Sequence, residues 1–144
     1  LVQPTKQELD AARSKAPYQI LHKENTAHVV TDKLTGITAY AAFDTYQPQG
    51  DKLFSLIPAE TMVMQKASDK GVVMSVCDPN LNISEKTFTT KEPSRPIVKQ
   101  IVMKGKWNMA QPNDKVKVQT TATETTLTVT CQHGQPVEFR MIKG

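Results

Sequence analysis

Apolar and polar residues alternate along most of the chain with a period of two, which is typical of β-strands that bury one face. The clearest case is residues 126–131, where three threonines alternate with Leu127, Val129 and Cys131. After the hairpin signal at 69–71 the same alternation returns in 72–76. The other predicted strands are 18–23, 27–33, 37–43, 61–66, 97–103, 116–118 and 137–141.

The N-terminal segment PTKQELDAARSK is the only predicted helix. Thr5 and Glu8 have the spacing of a capping box, and Leu9 and Ala12 share one side. Pro17 follows directly and prevents the helix from continuing. Because this apolar side is so small, we expect the helix either to rest on another surface or to fray.

Eight to ten short strands at regular spacing, separated by turn signals, predict an all-β fold. We expect an antiparallel two-sheet β-sandwich with one short N-terminal helix. At 144 residues the chain is long enough to bury a single hydrophobic core.

Charge and composition exclude several classes of partner. The net charge is +4, but the lysines are scattered, with no arginine cluster and no run of stacking aromatics. We therefore expect no nucleic-acid partner. No run of 18 apolar residues occurs, so we expect no membrane span. The chain opens without Met and without a basic-apolar leader, as a mature product or a piece of a longer protein would.

The stretch VCDPNLNIS begins like a calcium-binding loop, with Asp78, Asn80 and Asn82 at every second position. Such a loop requires glycine at its sixth position and glutamate at its twelfth, which here are Ile83 and Thr89. A single carboxylate remains, and the proline after it favours the first corner of a turn. The stretch is predicted to be a turn between strands.

Other candidate chemistry is sparse. The nucleophile-elbow, phosphate-loop, dinucleotide-binding and zinc-protease motifs do not occur. His22 and His28 lie on neighbouring predicted strands, without the spacing of a metal pair, and His133 lies in a turn, so we predict no metal site. Residues 82–84 match the N-glycosylation sequon, a pattern that is common by chance. The acidic residues fall mostly in turns, where we expect them to be solvated; they include Asp32, Asp51, Asp69 and Asp114.

Cys77 and Cys131 each end a predicted strand. Sequence spacing does not decide whether they meet. Two free thiols are the favoured interpretation, and a disulfide stays open.

The single tryptophan is the candidate centre of a carbohydrate-binding surface. Trp107 lies between Lys104, Lys106 and Asn108, and an aromatic ring among lysines suits stacking and charge contacts with an acidic polysaccharide. The favoured interpretation is that Trp107 fills the edge of the sandwich while the lysines are solvated, because one aromatic side chain makes a poor platform. A second aromatic patch surrounds the TYQPQG loop and comprises Tyr40, Phe43 and Tyr46.

Four segments, in order, resemble the C-terminal domain of bacterial chondroitin sulfate ABC lyases, in the group of polysaccharide lyases that includes hyaluronate and xanthan lyases. They are PYQILHKENTAHVVTDKLTGITAYAAF, VVMSVCDPNLNIS, MKGKWNMAQPNDKVKVQ and TLTVTCQHGQPVEF. The resemblance runs from about Ala16 to Gly144. It implies that residues 1–16 connect to a preceding domain and that 17–144 form the C-terminal β-sandwich domain.

The resemblance also implies a parent enzyme that cleaves glycosaminoglycans by β-elimination. The catalytic Asn or Arg, His, Tyr and Glu of such enzymes lie in other domains, and none matches a position here, so we expect no catalytic residue. The implied partner is the central β domain of the parent, and no cofactor is expected in this domain, whereas a divalent cation in the parent stays open. A periplasmic or secreted location is implied as well. The alternative function is a module that binds chondroitin or dermatan sulfate through Lys104, Lys106, Trp107 and Asn108.

Overall fold

The computed structural model describes residues 3–81 and 95–144. The described part contains one helix, α1 (Lys6–Ser14), and eleven strands. The strands are β1 (Tyr18–Lys23), β2 (Ala27–Asp32), β3 (Ile37–Ala42), β4 (Phe54–Leu56), β5 (Thr61–Ser68), β6 (Gly71–Cys77), β7 (Ile97–Lys104), β8 (Trp107–Met109), β9 (Val116–Thr120), β10 (Glu124–Cys131) and β11 (Val137–Lys143).

The strands form two antiparallel sheets, which confirms the predicted fold class. One sheet has seven strands in the order β1-β2-β3-β5-β6-β11-β8, and the other has four in the order β4-β7-β10-β9. Buried apolar side chains from both sheets form one hydrophobic cluster. Val63, Met74 and Met141 enter it from the larger sheet, and Ile101 and Leu127 from the smaller. This shared core is what joins the two sheets into a sandwich.

Helix α1 begins as the capping box predicts. The Thr5 Oγ1 atom accepts from the Glu8 backbone N–H at 3.3 Å, and the Glu8 carboxylate accepts from the Thr5 backbone N–H at 2.7 Å. These two bonds satisfy backbone donors that the first turn would otherwise leave unpaired. The helix buries no residue, so its apolar side is left exposed.

The longer predicted strands are confirmed, with ends that differ by one to a few residues. Two three-residue strands, β4 and β8, were not predicted. Three residues are too few to display a period of two, and both strands are defined by their pairing with distant strands.

The predicted turn after β6 is present as far as the chain is described. The Asn80 backbone N–H donates to Asp78 Oδ1 at 2.7 Å, an Asx turn of the kind that the sequence favours. Asn82, Ile83 and Thr89, as well as the sequon at 82–84, lie outside the described residues. Within the described ranges, no group of three or more His, Cys, Asp or Glu side chains is placed to hold a metal ion. No helix in these ranges is long and apolar enough to cross a membrane.

Candidate functional site

The predicted carbohydrate-binding residues lie together at one corner of the sandwich, where β7 ends and β8 begins. Gly105 makes the turn between them with a φ of 84°, a backbone conformation that glycine adopts without steric cost. Trp107 is only 7% exposed and belongs to the core cluster. Its indole Nε1–H donates to the Lys104 carbonyl at 2.8 Å, and its backbone N–H donates to Thr125 Oγ1 at 2.9 Å. The tryptophan therefore occupies the edge-filling position that is favoured from the sequence.

The polar residues of this corner are on the surface. Lys104, Lys106 and Asn108 are exposed. Lys104 is held, because its ammonium donates to the Asp51 carbonyl at 2.6 Å. The ammonium of Lys143 lies 5.9 Å from the centroid of the Trp107 ring, a cation–π contact. The corner thus presents ammonium groups around a tryptophan whose ring is mostly buried, and its binding of carbohydrate stays a prediction.

The second aromatic patch contains a cavity of about 460 Å³ beside the loop that crosses from β3 to β4. Tyr40 and Tyr46 line it, together with His22. The rings of His22 and Tyr46 lie 4.9 Å apart, and Tyr46 exchanges two backbone hydrogen bonds with Ile57 at 2.8 and 2.9 Å. Phe43, the third predicted member, instead packs edge-on against His28 at 5.0 Å.

Asp51 anchors this loop, which corrects the expectation that it is solvated in a turn. One carboxylate oxygen accepts from the backbone N–H groups of Leu53 and Phe54 at 2.7 and 2.9 Å. The other accepts from the Tyr40 hydroxyl at 2.7 Å. The Tyr40 ring packs edge-on against Phe54, on the opposite sheet, at 5.1 Å. Asp51 therefore joins the cavity, the core and, through Lys104, the tryptophan corner.

Burial, and then the hydrogen bond and negative charge of Asp51, raise the pKa of the Tyr40 phenol well above its ordinary value. Tyrosine is neutral when protonated, so both influences favour the protonated form. Burial also raises the pKa of Tyr46, with smaller contributions from Asp51 and Glu24. Tyr40 is thus held as a hydrogen-bond donor to Asp51.

We predict that Tyr40 is responsible for part of the loss of stability in alkali. Above pH about 10, the ordinary tyrosine value, the unfolded chain releases this proton while the folded chain keeps it, so stability falls as pH rises. In Tyr40→Phe the free energy of unfolding should decrease less steeply with pH, as measured by urea unfolding across the alkaline range. The exposed Tyr18→Phe is the matched control and should leave the fall unchanged; equal slopes for the two variants would contradict the prediction.

A buried ion pair lies at the far end of β6. The Asp78 and Lys99 side chains are 2% and 9% exposed, and Asp78 Oδ2 lies 2.6 Å from the Lys99 ammonium. This ammonium also donates to the Ala59 carbonyl at 3.0 Å. Among the described residues Oδ2 accepts no well-directed hydrogen bond, so the nearby ammonium is what compensates its charge. Lys99 thus links β7 of the smaller sheet to the loop between β4 and β5 and to the end of β6 in the larger sheet.

Both cysteines are free thiols, as favoured from the sequence, with Cys131 buried and Cys77 partly buried. Burial raises the pKa of each thiol; the negative charge of Asp78 adds to the rise at Cys77, whereas at Cys131 a hydrogen bond from the Asp78 backbone opposes it. A raised pKa keeps a thiol protonated and poorly nucleophilic at neutral pH. Neither cysteine has the environment of a reactive nucleophile.

The described residues thus form an antiparallel β-sandwich domain that carries lysines at one exposed corner. The chain is homologous to chondroitin sulfate ABC lyase. It is 31% identical over 126 residues to the chondroitin sulfate ABC endolyase of Proteus vulgaris, which is 86% of this chain and 12% of that enzyme. It is 32% identical over 77 residues to the ABC exolyase of the same organism, which is 52% of this chain and 8% of that enzyme. No family model matches the chain.

Solved structures share the fold at low sequence identity. A chondroitin AC lyase of Streptomyces coelicolor superposes with a TM-score of 0.65 at 14% identity, over 98% of this chain and 17% of that one. A Paenibacillus xanthan lyase gives 0.66 at 12% identity, over 100% of this chain and 13% of that one. The chain therefore spans a small part of the length of each relative.

Proposed function

We propose that this chain is the non-catalytic C-terminal β-sandwich domain of a chondroitin or dermatan sulfate lyase that acts by β-elimination. In this role it packs on the central β domain of the parent and supports the substrate cleft. The observation that carries the proposal is the 31% identity to a chondroitin sulfate ABC endolyase across 86% of the chain. We place the parent in the bacterial periplasm or outside the cell.

The chemistry of the described residues supports a non-catalytic role. β-Elimination on a uronate needs a base at the C5 proton, a group that neutralises the carboxylate and an acid for the leaving oxygen. In the cavity, the Tyr40 phenol is engaged by Asp51 and its raised pKa disfavours the basic phenolate. At the tryptophan corner, the side chains offer ammonium and amide groups but no paired acid and base.

The test follows the ultraviolet absorbance of the unsaturated uronate product after chondroitin sulfate is added. We expect the longer protein that carries this sequence to release product and the 144-residue chain alone to release none. Product from the purified 144-residue chain would overturn the non-catalytic role. A longer protein that binds chondroitin sulfate but never cleaves it would overturn the lyase assignment.

The second candidate is a glycosaminoglycan-binding module, favoured by the ammonium groups of Lys104, Lys106 and Lys143 around one corner. If it is correct, Lys106→Ala should weaken chondroitin sulfate binding, and the wild-type affinity should fall as salt rises, because the contacts are between charges. NMR shifts during a titration at low and near-physiological salt measure both effects. Lys33→Ala is the matched control, because Lys33 lies in the turn between β2 and β3, on the other side of the larger sheet from β8. Equal affinities of the two variants, or shifts that spread over the surface and vanish with salt, would exclude the module.

A further inference from the structure

The outer faces of the two sheets differ in chemistry. On the smaller sheet, the strand register places Gln100, Thr128 and Lys117 side by side, facing away from the core. Their strand neighbours Ile101 and Leu127 are fully buried, which fixes the direction of this polar row. This row is polar, although the exposed Val98 lies on the same face two residues before Gln100.

The larger sheet carries an uncharged row on its outer face. The register aligns Ile20, Val30, Ala39, Met64 and Ser75 across five neighbouring strands, from β1 to β6. The adjacent residues on β3 and β5 are buried in the core, so this row, which we call the outer row, points away from it.

The outer row is also exposed. Ile20 is 52% and Met64 is 47% exposed. Beside it a parallel line of Ala41, Met62 and Cys77 extends the surface, with Met62 45% exposed. Charged residues continue these lines only at their ends: Glu138 of β11 pairs with Ser75, and Lys23 of β1 lies beyond His28, so the middle of the sheet is the apolar part. An exposed apolar surface in the middle of a sheet marks a contact with another protein surface.

Helix α1 extends this surface at the β1 edge. Leu9 of the helix and Tyr18 of β1 are both about half exposed, and they line one groove of about 390 Å³. Tyr18 stands two residues before Ile20 on the strand, so the two side chains share the outer face. Strand β1 contains no buried residue, and neither does the helix. Both elements lack the burial that normally stabilises them.

We propose that the polypeptide preceding this domain in its parent lyase packs against Leu9, the outer row and the line of Ala41, Met62 and Cys77 beside it, an inference that rests on the proposed function. The homologous stretch makes up 12% of the endolyase, so most of such a parent lies outside this domain. The preceding part of the parent is covalently joined to α1, which lies beside the outer row. This linkage gives the preceding polypeptide a high effective concentration at the outer row. Its matching surface is apolar and uncharged.

Methionine oxidation tests this assignment, because Met62 and Met64 flank the centre of the proposed contact. In the longer protein treated with hydrogen peroxide, both should oxidise as slowly as the buried Met103 and Met141, as measured by peptide mass spectrometry. In the 144-residue chain alone, the fast oxidation of Met62 and Met64 should return. The control is Thr128→Met, which adds a methionine to the polar outer face and should oxidise fast in both proteins.

Two outcomes would overturn the inference. The first is oxidation of Met62 and Met64 in the longer protein as fast as that of the methionine introduced by Thr128→Met. The second is protection in the isolated chain that grows with its concentration, which would assign the outer row to a second copy. Release of unsaturated product by the same preparation reports on the proposed function separately. Active protein with unprotected methionines therefore refutes the inference alone.

Discussion

Lys99→Met should lower the free energy of unfolding by about 3–5 kcal/mol, the cost of breaking a buried ion pair from one side. The substitution keeps the aliphatic stem but removes the ammonium that faces Asp78 Oδ2 at 2.6 Å. Asp78, 2% exposed, is then a buried carboxylate without its countercharge. The Ala59 carbonyl also loses a donor, which adds to the loss. Urea unfolding, read as a shift in midpoint at constant slope, measures the change.

A matched substitution and a double variant separate this effect from a loss of net charge. Lys117→Met removes an exposed lysine from β9 and should change stability by no more than about 0.5 kcal/mol. Asp78→Asn combined with Lys99→Met removes both charges and keeps an acceptor for the Asn80 backbone N–H. Because no unpaired charge remains, the double variant should be more stable than Lys99→Met alone. A Lys99→Met variant as stable as Lys117→Met would show that the pair contributes nothing.

The same lysine shows where sequence patterns fail. The alternation in β7 predicts the strand correctly, but it also places Lys99 at an inward position, in line with Ile101 and Met103. Burial of a lysine is favourable only with a countercharge, and Asp78 lies just after β6 of the other sheet. A single sequence contains no local signal for that pairing.

The contacts of Asp51 at the cavity likewise could not be predicted from the sequence. The TYQPQG loop and its aromatic residues were predicted as a patch, and Tyr40 and Tyr46 do line one cavity. The proline and glycine predict a loop, in which a carboxylate is usually solvated. Its three hydrogen bonds depend on how the loop crosses between the sheets. Periodicity along the chain describes which face a residue takes, but not which distant residue meets it.

Only part of the tryptophan corner could be predicted from the sequence. The four residues Lys104, Lys106, Trp107 and Asn108 are adjacent in sequence, so their placement at one corner follows from the sequence alone. The sequence does not predict which of these residues face solvent, because β8 is only three residues long and its orientation is set by pairing with β11. Trp107 becomes a core residue, and the charged residues form its surroundings.

Trp107→Ala should lower the free energy of unfolding by about 3–5 kcal/mol, the usual loss when a buried aromatic side chain is truncated. The ring is 7% exposed, and its indole N–H bonds the Lys104 carbonyl at the end of β7. Truncation therefore opens a cavity and frees the turn that positions Lys104 and Lys106. Circular dichroism is the appropriate probe during urea unfolding, since the variant has no tryptophan to follow by fluorescence.

Trp107→Phe is the variant that distinguishes a structural tryptophan from a carbohydrate platform. Phenylalanine keeps most of the buried apolar surface and loses the indole hydrogen bond, so its stability should lie between those of Trp107→Ala and wild type. If the ring is structural, Trp107→Phe should also keep the wild-type response to chondroitin sulfate, and Lys106→Ala should keep wild-type stability. A Trp107→Ala protein that unfolds at the wild-type midpoint yet loses chondroitin sulfate binding would instead show that the ring acts on the ligand and not on the core.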